Sequence, residues 1–186
     1  MLDNDVEIVA VDKGRWPDLE QLFESRGGPK SCWCMIWRDM PESPQRTDGP
    51  SRKRALKTRV QAGQQVGLLA YRDGEPSAWC SVAPRPTYKR LGGIAYDGVP
   101  EEAVWSIVCF FVKRMARNKG MFERLLVDAI AHARARGAAV MEAYPVDPDS
   151  PSYRFMGFVS QFQARGFKEV GRAGSRRHVL SLRLDN

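Results

Sequence analysis

The chain has 186 residues, 43% of them hydrophobic, which suffices for one domain with a full core and excludes disorder over most of its length. Its formal charge of +7 favours anionic partners, such as a phosphorylated cofactor, an acidic ligand or nucleic acid, and selects none of them. The opening "MLDNDVEIVAVDKGRW" lacks a signal-peptide pattern and the longest near-apolar run, 107–112, is too short to cross a bilayer, so a cytoplasmic protein with no membrane span is expected.

Residues 5–11 alternate around Val6, Ile8 and Ala10, as in a first strand. "RWPDLEQLFESRG" predicts a helix, with Pro17 in its first turn, Leu19, Leu22 and Phe23 on one face and Gly27 as its stop. The stretch 28–50 mixes tryptophans, cysteines and turn formers and is expected to be a structured, irregular acceptor-side loop or lid. A second helix is predicted from about Ser51 to Ala62. Asp73-Gly74 then turns a hairpin with strands near 66–72 and 76–83. After a basic, glycine-containing connection, 104–112 reads as a buried strand rich in valine, isoleucine and phenylalanine.

From position 121 the period becomes helical, with Phe122, Leu125, Leu126, Ala129, Ile130 and Ala133 on one stripe and Gly137 closing it. "AAVMEAYPV" is a short strand ended by Pro145. A helix near 158–165 capped by Gly166 and two antiparallel strands complete the chain. The order implies a single α/β domain.

The junction "FFVKRMARNKGMFERLL" sets the functional question. Amides at the start of a helix have no partner within it and can cradle a diphosphate, helped by the helix dipole. Gly120 permits close approach, and Arg117 and Lys119 add positive charge. Neither a Walker loop nor GxGxxG is present. With its strand and helix, "RNKGMF" (117–122) resembles the signature of the GNAT family, the acetyl-CoA-dependent N-acetyltransferases. That signature places Gln or Arg first, Gly fourth and a small residue sixth; here Phe122 stands sixth.

The resemblance implies a mixed, mostly antiparallel sheet with helices on both faces, and a gap between strand 104–112 and strand 138–144 that admits the thioester. It implies that acetyl-CoA is the cosubstrate, paired with the backbone of Phe110 and Val112. The diphosphate would be held at Arg117, Asn118, Lys119, Gly120, Met121 and Phe122. It also implies pairing into a homodimer. The tyrosine that commonly serves as the general acid would fall at Phe162, which has no proton to give.

Acetyl transfer needs an amine without its extra proton, a polarised carbonyl and placement of both substrates. Glu142, in the strand after the cofactor helix, is the candidate carboxylate: a base, a binder of the cationic amine, or a partner in an internal ion pair. Trp33, Trp37 and Tyr144 are the candidates for the acceptor pocket, with anchoring of the loop into the core as the other role open to the two tryptophans. Cys32, Cys34, Cys80 and Cys109 are expected to be reduced thiols. Cys109 in an apolar strand reads as a small hydrophobe, and with only His132 and His178 in the chain no metal is expected.

The leading reading is acetyl transfer to a primary amine of a small molecule. The rivals are an acyl-CoA-binding regulatory module without turnover, which Phe122 and Phe162 keep open, and a basic nucleic-acid-binding protein. The scattered lysines and arginines and the lack of a nucleic-acid motif speak against the last.

Overall fold

The computed structural model describes residues 6–40 and 48–184. Its strands are β1 (Val6–Ala10), β2 (Leu68–Arg72), β3 (Glu75–Pro84), β4 (Val104–Val112), β5 (Val140–Ala143), β6 (Lys168–Ala173) and β7 (Arg177–Arg183). The helices are α1 (Trp16–Glu24), α2 (Gly49–Gln61), α3 (Met121–Ala135) and α4 (Val159–Gln163). All seven strands form one sheet in the order β1-β2-β3-β4-β5-β7-β6, antiparallel throughout except where β4 meets β5.

Local chemistry accounts for the elements. In the β2–β3 turn, Asp73 and Gly74 both take left-handed φ, 52° and 78°, as a two-residue hairpin requires. α2 starts ahead of the expected Ser51 because the Asp48 carboxylate accepts the Ser51 amide at 2.9 Å and caps the helix. α3 buries Leu125, Leu126, Ala129 and Ala133, the apolar stripe of the sequence. Helices cover both faces: α3 and α4 pack over Leu68, Cys80, Val82 and Ile107, while α1 and α2 pack over Leu69, Tyr71 and Trp79.

Of the segment expected to be irregular, 41–47 lies outside the described residues, and 28–40 is indeed turns. The described part is not a loose lid. Trp33, Cys34, Met35 and Arg38 are buried. Of the two roles open to it, Trp33 displays the core anchor: it is 2% exposed, stacked on Trp16 at 5.9 Å and tilted on Phe23 at 5.2 Å. Arg38 anchors the segment. Its guanidinium lies 4.1 Å from the Tyr88 ring centre and donates to Val66 O (3.0 Å), the Tyr88 hydroxyl (3.0 Å), Ser81 Oγ (3.4 Å) and Thr87 Oγ1 (3.3 Å).

The feature that positions the site is the parting of β4 from β5. β4 has nine residues and β5 has four. Their parallel register runs from Val104↔Val140 to Ile107↔Ala143 and stops. Past it the chain of β5 turns away, and Val146 bridges to Phe158. At the same level the β3–β4 register slips between Ser81 and Val82, which leaves Val108 as a bulge that re-aims the rest of β4.

Arg38→Met is expected to cost about 2–4 kcal/mol, because it strands several buried acceptors at once. Urea unfolding monitored by tryptophan fluorescence measures this; an unchanged midpoint would show that the 28–40 segment is held by something else.

Candidate active site

Among the described residues, the β5-facing edge of β4 has no strand partner beyond Ile107. The Lys113 amide donates to Ser77 O at 2.9 Å on the β3 side. Main-chain groups alternate along a strand, so those of Val112 and Phe110 point into the gap. One is already taken: Arg117 Nε donates to Val112 O at 2.9 Å. Arg117 thus spends one donor on the strand edge rather than standing wholly free over the turn.

The gap runs into the turn before α3. Asn118 and Gly120 have left-handed φ of 58° and 70°, and Gly120 is the residue from which the helix departs. Among the described residues, no backbone oxygen accepts from the amides of 118–123, and the first bond back into the turn is Arg124 N to Gly120 O at 3.0 Å. Residues 117–120 are exposed while Met121 is buried, which pins the turn to the core beneath. A run of unpaired amides at the positive end of a fifteen-residue helix, with Arg117 and Lys119 beside it, suits an anionic group.

Phe122 does not narrow this turn. Its ring points into the core, 4.3 Å from Phe110 and 6.0 Å from Phe162 between ring centres. Phe162 is fully buried and also meets Phe167 at 5.4 Å. The α3 side of the gap is therefore lined by phenyl rings.

On the opposite face Glu142 is fully buried and fully engaged. Oε1 accepts from the Tyr96 hydroxyl (2.7 Å) and the Ile94 amide (3.2 Å). Oε2 accepts from the Tyr144 hydroxyl (2.6 Å) and pairs with Arg85 Nη1 (3.0 Å). Tyr144 in turn shares a hydrogen bond with Ser106 Oγ at 2.8 Å. The loop over the carboxylate passes so close that a Cβ on Gly93 would lie 2.1 Å from Oε2. Burial, then Glu142, raises the pKa of Tyr96 and holds that of Tyr144 well above the ordinary value. Burial lowers the Arg85 pKa, but Glu101 and Glu142 more than offset it, so Arg85 stays charged. Of the roles open to Glu142, the internal ion pair is the one the geometry displays, since an amine would have to displace an existing donor. Tyr144 is likewise enclosed rather than presented to an acceptor.

Trp37 remains partly exposed, and its ring lies beneath the Arg177 guanidinium at 4.3 Å, with Tyr153 at 5.5 Å. Sequence reasoning missed Arg177, and it missed Arg85, Tyr96 and Ser106 as partners of Glu142 and Tyr144. No spacing rule links residues 38 or more positions apart: the sheet register sets Ser106 beside Glu142, and the loop carrying Arg85 and Tyr96 folds back over it.

Cys34 and Cys109 meet on the α1 side, whereas Cys80 lies in the core under α3. Cys34 Sγ lies 3.1 Å from Cys109 Sγ, and all four cysteines are free thiols. The contact with Cys109, together with burial, raises the Cys34 pKa well above that of a free thiol, which suits a packing role better than a nucleophilic one. Cys109 faces away from Phe110, in the other core cluster. Among the described residues no group of three His, Cys, Asp or Glu side chains is placed to hold a metal ion, and no helix is long and apolar enough to cross a membrane.

The family model described as the acetyltransferase (GNAT) family matches residues 30–158, more than two-thirds of the chain. No curated protein matches the sequence. Solved structures share the fold at low identity. An N-acetyltransferase from Staphylococcus aureus Mu50 aligns over 98% of this chain and 100% of its own, at 14% identity and a TM-score of 0.59. The yncA structure from Salmonella typhimurium, solved with its cofactor acetyl-CoA, aligns over 98% of this chain and 95% of its own, at 19% identity and 0.59. The PaiA N-acetyltransferase from Thermoplasma acidophilum, in complex with coenzyme A, covers 96% of this chain and 98% of its own, at 15% and 0.57.

Two outcomes follow from this geometry. Glu142→Gln, which breaks a buried pair but leaves Arg85 its Glu101 partner, is expected to cost about 3 kcal/mol. In a chain of this size that is a fall in Tm of roughly 6–12 °C; a variant that loses turnover with an unchanged Tm would instead mark Glu142 as a group that meets the substrate. Gly120→Val has open space for its side chain but a backbone of φ 70° that β-branched residues resist. It should weaken binding of acetyl-CoA at least tenfold by calorimetry with little change in Tm, and unchanged affinity would remove the diphosphate from this turn.

Proposed function

The chain belongs to the acetyltransferase (GNAT) family, and from that membership we propose that it moves the acetyl group of acetyl-CoA to the primary amine of a small molecule by direct attack in a ternary complex. The observation that carries this reading is the junction of the β4–β5 gap with the unpaired amides before α3. The cofactor-bound structures of yncA and PaiA support the choice of ligand. In this reading the amides and side chains of Arg117, Asn118, Lys119, Gly120, Met121 and Phe122 receive the diphosphate. The free edge of β4 at Phe110 and Val112 takes the pantetheine arm as an extra strand would be taken.

Placement supplies much of the rate. Glu142, paired with Arg85, acts by fixing Tyr144 and the end of β5 at the mouth of the gap. The amine enters from the face that carries Trp37, opposite α3. Two observations favour a second reading, an acyl-CoA-binding module without turnover: no hydroxyl stands at Phe162, and the only carboxylate of β5 is fully engaged.

Calorimetric titration with acetyl-CoA at moderate salt, against 3′,5′-ADP and an unrelated polyanion, is expected to give saturable one-site binding beyond the controls. Amine-dependent release of free thiol then separates turnover from binding alone. Binding without thiol release across an amine panel would favour the regulatory module. A folded protein with no acetyl-CoA binding would overturn both.

A further inference from the structure

Beside Glu142, on the face opposite α3, lies a cleft of about 640 Å³ between residues 85–95 and the β6–β7 turn. Its wall is cationic, with Arg85, Lys89, Arg90 and Arg177 against a single carboxylate, Glu101. Arg85 is spent on Glu101 and Glu142, and Lys89 Nζ reaches Ile36 O at 3.4 Å.

Arg177 is different. It is partly buried, yet among the described residues no carboxylate lies within ion-pair distance of it, and its one hydrogen bond is from Nη1 to Leu91 O at 2.8 Å. Its guanidinium is held against the rings of Trp37 and Tyr153. The Trp37 indole N–H beneath it is buried and has no acceptor among the described residues. A guanidinium carries five N–H donors, so most of the capacity of Arg177 is unused. A desolvated cation with spare donors beside an orphaned N–H is costly unless an anion completes the set. Stacking already fixes the fork, so little further ordering is needed to grip a planar oxyanion.

Position ties this group to the transfer reaction. Arg177 opens β7, and the next amide, that of His178, donates to Pro145 O at 2.9 Å, just past the end of β5. Arg177 therefore sits at the mouth of the gap, on the face opposite the diphosphate turn. We propose that Arg177, with Trp37, is the anchor for a carboxylate on the acceptor, and that the acceptor is an amine of the amino-acid class. The inference rests on the acetyl-transfer reading for the amine but not for the anion. It also selects among acceptors, because the same wall repels polyamines and other multiply cationic amines.

The test uses matched acceptors: phenylalanine, phenylalaninamide and phenethylamine, and likewise lysine, lysinamide and cadaverine. Thiol release from acetyl-CoA is followed for the wild type, Arg177→Met and Arg177→Lys, with Tm measured for each. For at least one series the wild type should favour the free carboxylate over its amide at least tenfold in kcat/KM. Arg177→Met should reduce that ratio to within twofold, Arg177→Lys should retain part of it, and KM for acetyl-CoA should not move. Equal or better use of the amides, or a preference that survives Arg177→Met, overturns the proposal while leaving acetyl transfer intact. Binding is read separately by tryptophan fluorescence, with and without CoA, using N-acetylphenylalanine against its amide. Saturable quenching by the acid alone, lost in Arg177→Met, supports the anchor even if nothing turns over. Absence of any such preference in protein that binds acetyl-CoA overturns it. Failure to bind acetyl-CoA overturns the family-based reading instead, and the fluorescence arm without CoA still decides the anion site.

Discussion

The nine residues of β4 outrun the four of β5, and the main-chain donors and acceptors left along that edge govern how the neighbouring chain is arranged. Buried backbone groups without partners are expensive, so each must be met by a side chain, by solvent or by a ligand. Arg117 meets one of them at Val112 O. The Val108 bulge turns the rest of the strand, the left-handed residues Asn118 and Gly120 reverse the chain into α3, and the phenyl rings of Phe110, Phe122 and Phe162 close the side beneath the helix. Gap, turn and aromatic floor are consequences of one unequal parallel pair.

Electrostatics organises the opposite face through three arginines placed in different ways. Arg85 sits between two carboxylates and gives buried Glu142 its ion-pair partner. Arg38 has no carboxylate among the described residues and satisfies its donors on neutral oxygens just before β2, on β3 and in the loop after β3, which locks the segment carrying Trp37. Arg177 rests on that same tryptophan and has spent a single donor. The rigidity given by Arg38 is what makes the openness of Arg177 meaningful, because a cation on a mobile ring would find solvent instead.

The α/β class, the hairpin at Asp73-Gly74, the buried strand 104–112 and the helix from 121 were legible because each is written in contiguous residues: a turn dipeptide, an apolar run, a stripe at helical spacing. The turn at 117–122 was legible for the same reason. The role of Trp33 stayed open in the sequence because an aromatic residue in a turn-rich stretch carries no local sign of which way it faces; Trp16 and Phe23 decide that from α1. The surroundings of Glu142 were invisible because its partners come from positions 85, 94, 96 and 144, gathered by a loop folding back over the sheet. Period two placed Glu142 and Tyr144 on one face, and the structure adds that they bond to each other rather than to the solvent side.

The ring of Phe162, enclosed by Phe110, Phe122 and Phe167, has a chemical consequence for the proposed reaction. A leaving sulfur on that side meets hydrocarbon, where an unprotonated thiolate is poorly solvated. The nearest available hydrogen is then the one the attacking nitrogen must shed, passed on directly or through a single water. Proton donor and nucleophile become the same molecule, so the alkaline and acid limits of turnover would track the ionisation of the acceptor and change from one acceptor to the next, rather than reporting a fixed side chain of the enzyme.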